Sequence, residues 1–207
     1  MLIVGLTGGV ASGKTAVSGA LKREGAYIID ADQIARELVQ PKQPAWDELI
    51  RAFGTEILQE EGFIDRKKLA ERIFRDPKQR EVVDQILHPR IKEEMDRRIK
   101  EIVRKDPEAI VVIDAPLLIE LGAHRKVDIL IVVTSTPTQQ MERLKERDGR
   151  SLEEAQGIFA AQLPIEEKVK LADIIIRNEG SLEEMEKRAK GVFQELKNRL
   201  LQKKKNH

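Results

Sequence analysis

An apolar run, Leu2-Ile3-Val4-Gly5-Leu6, leads without a break into Thr7-Gly8-Gly9-Val10-Ala11-Ser12-Gly13-Lys14-Thr15. This order constrains the fold more than any other feature of the chain. A short β-branched run, a glycine-rich turn and a helical stretch from Thr15 to Lys22 make a strand–loop–helix unit. The apolar run is short and has no basic flank, so it reads as a buried first strand and not as a signal peptide.

Four further runs resemble the first. They are Tyr27 to Ile29, Ala109 to Ile113, Asp128 to Thr134 and Asp173 to Ile176. Their apolar residues are continuous instead of alternating, as in a strand covered on both faces of a parallel sheet. The intervals leave room for crossover helices. An α/β layered fold is expected. The interval from Asp30 to Ala109 is too long for one crossover. It holds Pro41-Lys42-Gln43-Pro44 and helical patterns over Ala45–Phe53, Lys67–Phe74, Lys78–Leu87 and Pro89–Val103, with Pro89 marking a helix start. This predicts a helical insertion, either closing over a ligand or merely decorating the sheet. A second exposed stretch runs over 146–164. There Ser151 and Glu154 have capping-box spacing. A last helix, about Leu182 to Leu201, presents Met185, Val192, Leu196 and Leu200 to the core.

With 207 residues, one globular domain with an inserted subdomain is expected. Lys and Arg number 37 against 36 Asp and Glu, so nothing global points to nucleic acid or an anionic membrane. The absence of cysteine excludes disulfides, cysteine-ligated zinc and thiol nucleophiles. No apolar stretch approaches the roughly 18 residues of a membrane span. A soluble, intracellular chain is the expectation.

Gly8 to Thr15 matches G-x-x-x-x-G-K-[ST]. Glycines let the chain curl with its N–H groups inward, a nest for phosphate oxygens. The helix starting near Gly13 adds its positive end. Lys14 supplies a point charge to the β- and γ-phosphates, and Thr15 a hydroxyl to Mg²⁺. This is a nucleoside-triphosphate site, without yet being a kinase.

Carboxylates at the ends of parallel strands face the ligand crevice. In Asp30-Ala31-Asp32, Asp30 suits an N-cap, while Asp32 either favours the first helical turn by its charge, accepts a proton from an acceptor hydroxyl, or helps hold Mg²⁺. Asp114, after Ile110-Val111-Val112-Ile113, either approaches the metal or caps the turn containing Pro116. Arg143 and Arg147 share one helix face, and Arg150 follows. They either close over developing phosphate charge or pair with Glu142, Glu146 and Asp148. His88 reads first as a local hydrogen-bonding residue. His124 and His207 have no partners at metal-ligand spacing.

In combination, these residues resemble the dephospho-coenzyme A kinases. The similarity runs from Ile3 to about Glu184. It rests on Gly5 to Thr15, on Asp30-Ala31-Asp32 with Ala35-Arg36, on Leu87-His88-Pro89, on Pro116-Leu117-Leu118-Ile119-Glu120, on Ala161-Gln162, and on Ala172-Asp173 through Asn178-Glu179-Gly180. The resemblance implies phosphorylation of the ribose 3′-hydroxyl of dephospho-coenzyme A by MgATP, the last step of coenzyme A synthesis. It implies a three-layer phosphate-binding-loop kinase fold: a five-stranded parallel sheet, a helical acceptor-binding insertion and a lid. The core would be 1–40 with 105–207, the insertion 41–104, and the lid 146–164. Asp32 becomes the general base, filling the second Asp of the family's triplet, with Lys14 and Arg147 also catalytic. The ATP site would comprise Gly8, Gly9, Ala11, Ser12, Gly13, Lys14, Thr15, Ala16, Arg147 and Asn178, the last at the adenine end. Asp32, His88, Pro116, Leu117, Leu118 and Glu120 would face the acceptor, and Thr15 and Asp114 the metal. A cytoplasmic enzyme with small-molecule substrates, and with no nucleic acid, membrane or obligate protein partner, follows.

Four positions depart from the family pattern. Ala11 stands where glycine is frequent, and its Cβ disfavours positive φ. Thr15 replaces a frequent serine, Gly157 a frequent arginine, and Arg177 a usual aspartate. A nucleoside monophosphate, shikimate or gluconate kinase shares the loop but should lack the Asp-Ala-Asp and His-Pro combination. A GTPase needs an Asn-Lys-x-Asp guanine reader, which this sequence lacks. A nonenzymatic nucleotide-binding scaffold is disfavoured by the intact Lys14 and Asp32.

Overall fold

The computed structural model describes residues 1–148 and 162–205. Arg150, the Ser151–Glu154 box, Gly157, Ala161 and most of the expected lid lie outside the described residues, as does the side chain of Arg147. The chain divides into two units, Met1–Ile29 with Ile102–His207, and Asp30–Glu101.

The larger unit is built on five strands: β1 (Leu2–Gly8), β2 (Tyr27–Asp30), β3 (Ile110–Asp114), β4 (Ile129–Thr134) and β5 (Ile174–Arg177). Their order is β2-β3-β1-β4-β5. β1 pairs in parallel with β3 (Leu6 opposite Asp114) and with β4 (Gly8 opposite Val133). β4 and β5 are also parallel. β1 is therefore central, and the loop that follows it opens at the middle of the sheet edge, where ligands of open α/β sheets bind.

Strand alternation divides the core. Leu2, Val4 and Leu6, with Ile110, Val112, Ile129, Ile131, Val133 and Ile176, pack against α1 (Lys14–Glu24) and the C-terminal helix Leu182–Lys205. From α1 come Val17, Ala20 and Leu21; from the C-terminal helix come Met185, Ala189, Phe193, Leu196 and Leu200. Val192, expected in this set, is only partly buried, because Phe193 takes the inward position. Gly5 has close neighbours in Leu118 and Leu130; a Cβ there would lie 2.5 Å from Leu118 Cδ2. The aspartates expected to open β4 and β5 sit just outside them. Asp128 accepts the N–H of Ile3 at 2.8 Å, and Asp173 that of Leu130 at 2.7 Å, satisfying donors at the strand ends. β5 is more open than its apolar run implied, with Ile175 exposed.

The smaller unit holds α2 (Ala31–Leu38), α3 (Pro44–Phe53), a 3-10 turn at Thr55–Ile57, α4 (Arg66–Arg75) and α5 (Pro77–Lys105) as far as Glu101. Leu49, Phe53, Ile57, Ile64 and Val83 form its core, flanked by Trp46, Leu69, Ile73, Ile86 and Leu87. Trp46 Nε1 donates to Gly62 O at 2.9 Å, closing the turn before α4. The insertion was expected from residue 41. The unit instead begins at Asp30, because Val39 packs on this core and Glu37 of α2 pairs with Arg98 of α5. Glu94 accepts from both Arg97 and Arg98; Arg97 is the largest influence, and the two guanidinium groups outweigh burial and hold its carboxyl down at about 2.

Two helices were expected on either side of Pro89, and the structure has one. α5 runs for 29 residues with Pro89 inside it. Proline removes one intrahelical donor and crowds the carbonyl four residues earlier. That carbonyl is Gln85 O; on the next residue Arg90 Nη1 donates to Ile86 O at 2.6 Å, and Nη2 to Glu48 Oε1 at 2.6 Å. Ile86 and Leu87 pack against the smaller core on the preceding turn. Side-chain bonding and packing thus carry the helix through a residue that would end an isolated one.

Candidate active site

At the end of β1 the chain turns through Gly9 to Gly13 into α1. Ser12 N donates to Gly9 O at 3.2 Å, and Ala16 N and Val17 N both return to Gly13 O. Ala11 has φ 52° and Gly13 φ 86°. Ala11 therefore occupies the left-handed region that its Cβ disfavours, at a cost of about 1 kcal/mol. The loop keeps this curl despite the substituted glycine. A left-handed residue in such a loop turns successive N–H groups toward one concavity.

The β3 neighbour of β1 supplies the opposite charge. Asp114 is buried at the end of β3, and Lys14 Nζ donates to its Oδ1. The ammonium and carboxylate thus meet at the same edge of the sheet, beside the start of α1. Thr15, the second residue of α1, is exposed. Among the described residues no cluster of three or more His, Cys, Asp or Glu is arranged to hold a metal.

Two further segments converge on the loop. α6 (Pro137–Asp148) brings Arg143, whose Nη1 donates to Ala11 O at 3.2 Å. The turn after β5 brings Asn178, whose Nδ2 donates to Ser12 O at 2.9 Å. The sequence had grouped Arg143 with Arg147 on one helix face and selected Arg147. Arg143 is the one whose described contacts reach the loop. The four-residue spacing was visible, but nothing in it says which turn of α6 lies beside the loop.

The segment after β3 is held by buried polar contacts. Pro116 O accepts from Thr7 Oγ1 at 3.0 Å and from Lys168 Nζ at 3.0 Å. Lys168, on α7 (Ile165–Leu171), is fully buried and pairs with Glu120 at 2.8 Å. Burial alone would raise the Glu120 carboxyl; the Lys168 ammonium and the Leu163 N–H outweigh it and keep it below the usual carboxylate range. Removing one partner of such a pair strands the other charge in a poorly solvated place. Leu118 is buried against Gly5, whereas Pro116 and Leu117 are half-buried. Lys168 carried no sequence signal: it stands in the polar stretch Glu166-Glu167-Lys168-Val169-Lys170, which looks like a solvated face.

The remaining candidates lie on the smaller unit. Asp32 is in the first turn of α2, and the cap of that helix is Asp30, whose side chain accepts from Gln33 N at 2.9 Å. His88 Nε2 lies 3.4 Å from Asp84 Oδ1, one turn back along α5.

Comparison with known proteins bears on the family. A family model described as dephospho-CoA kinase matches residues 2–184. A dephospho-CoA kinase of Moorella thermoacetica is 44% identical over 200 residues, covering 97% of this chain and 94% of that one. A Corynebacterium glutamicum relative of the same name is 42% identical over 196 residues, covering 95% of this chain and all of the relative. A solved structure from Thermus thermophilus superposes with TM-score 0.79 at 32% identity, covering 94% and 97% of the two chains. The dephospho-CoA kinase structure from Campylobacter jejuni gives 0.70 at 26%, covering 95% and 97%. A curled glycine loop after the central strand, a lysine–aspartate pair joining the start of α1 to the end of β3, and these matches along nearly its whole length lead to one conclusion: the chain belongs to the dephospho-CoA kinase family.

Proposed function

We propose that the chain transfers the γ-phosphoryl group of ATP to the ribose 3′-hydroxyl of dephospho-CoA, giving CoA and ADP, the final step of CoA synthesis. The observation that carries this reading is the phosphate loop with Lys14 and Asp114 at the edge of the central strands, in a chain of this family. The N–H groups of the loop and the start of α1 hold the β- and γ-phosphates. Lys14 gives them a cation, and Arg147, at the family's lid-arginine position, is the proposed second one. The acceptor oxygen forms its bond to the γ-phosphorus while the bond from that phosphorus to the β–γ bridging oxygen breaks, its electrons leaving with ADP. Asp32 takes the proton of the 3′-hydroxyl.

Mg²⁺ fits the donor set at the loop. The Thr15 hydroxyl and the Asp114 carboxylate are hard oxygen donors, and Mg²⁺ characteristically takes only one or two protein oxygens beside phosphate and water. When bound, the ion supplies charge neutralisation at the phosphate oxygens. On the acceptor side, His88, Pro116, Leu117 and Glu120 are the proposed contacts; Leu118, being buried against Gly5, serves by supporting that segment. The near balance of basic and acidic residues supports small-molecule substrates without nucleic acid. Among the described residues no helix is long and apolar enough to cross a membrane. We place the enzyme in the cytoplasm, without an obligate partner.

The test is coupled ADP release with ATP and one of four additions: dephospho-CoA, AMP, shikimate, or none. Turnover is expected with dephospho-CoA alone. Equal turnover with AMP or shikimate would overturn the acceptor assignment and leave a kinase of another specificity.

A further inference from the structure

The turn after β5 meets the phosphate loop on its outer side. Asn178 is buried there. Its N–H donates to Thr134 O at 2.7 Å, which fixes it to the end of β4. Its side-chain amide donates to Ser12 O at 2.9 Å. Its carbonyl accepts from Arg143 Nη2 at 3.3 Å, and the other arm of that guanidinium donates to Ala11 O at 3.2 Å. A Cβ on Gly13 would lie 2.0 Å from Asn178 Nδ2, so the contact requires glycine at 13 on grounds of space as well as of φ.

Each peptide unit is planar and trans, so its C=O and its N–H point in opposite directions. Drawing Ser12 O outward aims Gly13 N–H to the other side. Holding Ala11 O does the same for Ser12 N–H, which donates to Gly9 O within the loop. The two outer contacts thus set two consecutive peptide planes, one of them beside the strained Ala11. We propose that Asn178, with Arg143, is a positioning residue of the phosphate cradle, acting on the polyphosphate through the loop's peptide planes and not on the adenine. The inference rests on the proposed ATP-binding role of the loop, and it reassigns Asn178 from the base end to the phosphate end.

The experiment measures binding of ATP, inorganic tripolyphosphate and adenosine to the full chain by calorimetry with Mg²⁺ present. Asn178→Ala is expected to weaken ATP and tripolyphosphate by the same factor, about tenfold for the lost hydrogen bond, with adenosine unchanged. In steady-state assays KM for ATP rises while KM for dephospho-CoA stays constant. Asn178→Asp, isosteric but presenting an acceptor to Ser12 O, is expected to be at least as weak as alanine. Arg143→Met is the second probe should a change at 178 impair folding, and it too should weaken tripolyphosphate and ATP together. If ATP binding weakens in these variants while tripolyphosphate binding does not, the contact is with the base and the inference is wrong. If the unaltered chain binds ATP but not tripolyphosphate, the loop reading itself falls, and this inference with it.

Discussion

Lys14→Ala is expected to lower the rate of phosphoryl transfer by about 10³-fold, the scale seen when one preorganised charge donor is removed from a transition state. Lys14 is the first residue of α1, so its Cα is fixed by the helix start, and its ammonium already lies beside the edge where β1 and β3 end. The charge that develops on the transferring group then meets a cation that needs little reorganisation. The substitution has a second consequence. Asp114 is 4% exposed and loses its partner, so the variant should also unfold at a lower temperature than the parent chain. Lys14→Arg separates the two effects, because it keeps a cation opposite Asp114 but changes its reach. It should restore most of the thermal stability and little of the rate. The check is single-turnover transfer beside thermal unfolding for both variants, and near-normal transfer in Lys14→Ala would contradict the role given to Lys14.

Asp32→Asn is expected to lower kcat by about 10² to 10⁴, the usual contribution of a positioned general base, with KM for ATP nearly unchanged. Proton acceptance belongs to the transition state, so its loss appears in kcat and in kcat/KM alike. The helix should tolerate the change. Its cap is Asp30, not Asp32, and the helix-dipole interaction of one charge that asparagine gives up is about 0.3–1 kcal/mol. Steady-state kinetics against both substrates is the measurement. Matched losses in kcat and in ATP affinity would indicate that Asp32 acts on the nucleotide or its metal.

The features legible in the sequence were those with short-range causes. Continuous apolar runs gave five strands within a residue or two of where they lie, because a short β-branched run reads as a strand whether both faces are covered, as in β1, β3 and β4, or only one, as in β2 and β5. The loop was legible because one pattern carries both its curl and its charge. Where tertiary contacts decide, the sequence misled. Pro89 looked like a helix start and is instead carried inside α5 by Arg90 and the packing of Ile86 and Leu87. A second capping box went unread: Ser181 and Glu184 exchange hydrogen bonds at 2.9 and 3.2 Å at the start of the last helix, with the same spacing as Ser151 and Glu154.

The site divides in the same way. Gly8 to Thr15 could be named from spacing, and Asp114 from its place after an apolar run. The structure puts both at one sheet edge. Lys168 and Arg143 could not be ranked, since a lysine between glutamates and an arginine on a charged helix look alike whether buried or solvated. Their partners are main-chain carbonyls and a carboxylate far away in sequence. Asn178 was visible as a motif residue, but which end of the nucleotide it serves depends on a contact spanning 166 residues of chain.

The most direct test of the account is a crystal structure of the chain with Mg²⁺ and a non-hydrolysable ATP analogue. The account predicts the β-phosphate inside the curl of residues 9–15, with Lys14 Nζ within hydrogen-bond reach of the β- and γ-phosphate oxygens. A triphosphate bound elsewhere, with Lys14 still directed only at Asp114, would contradict it.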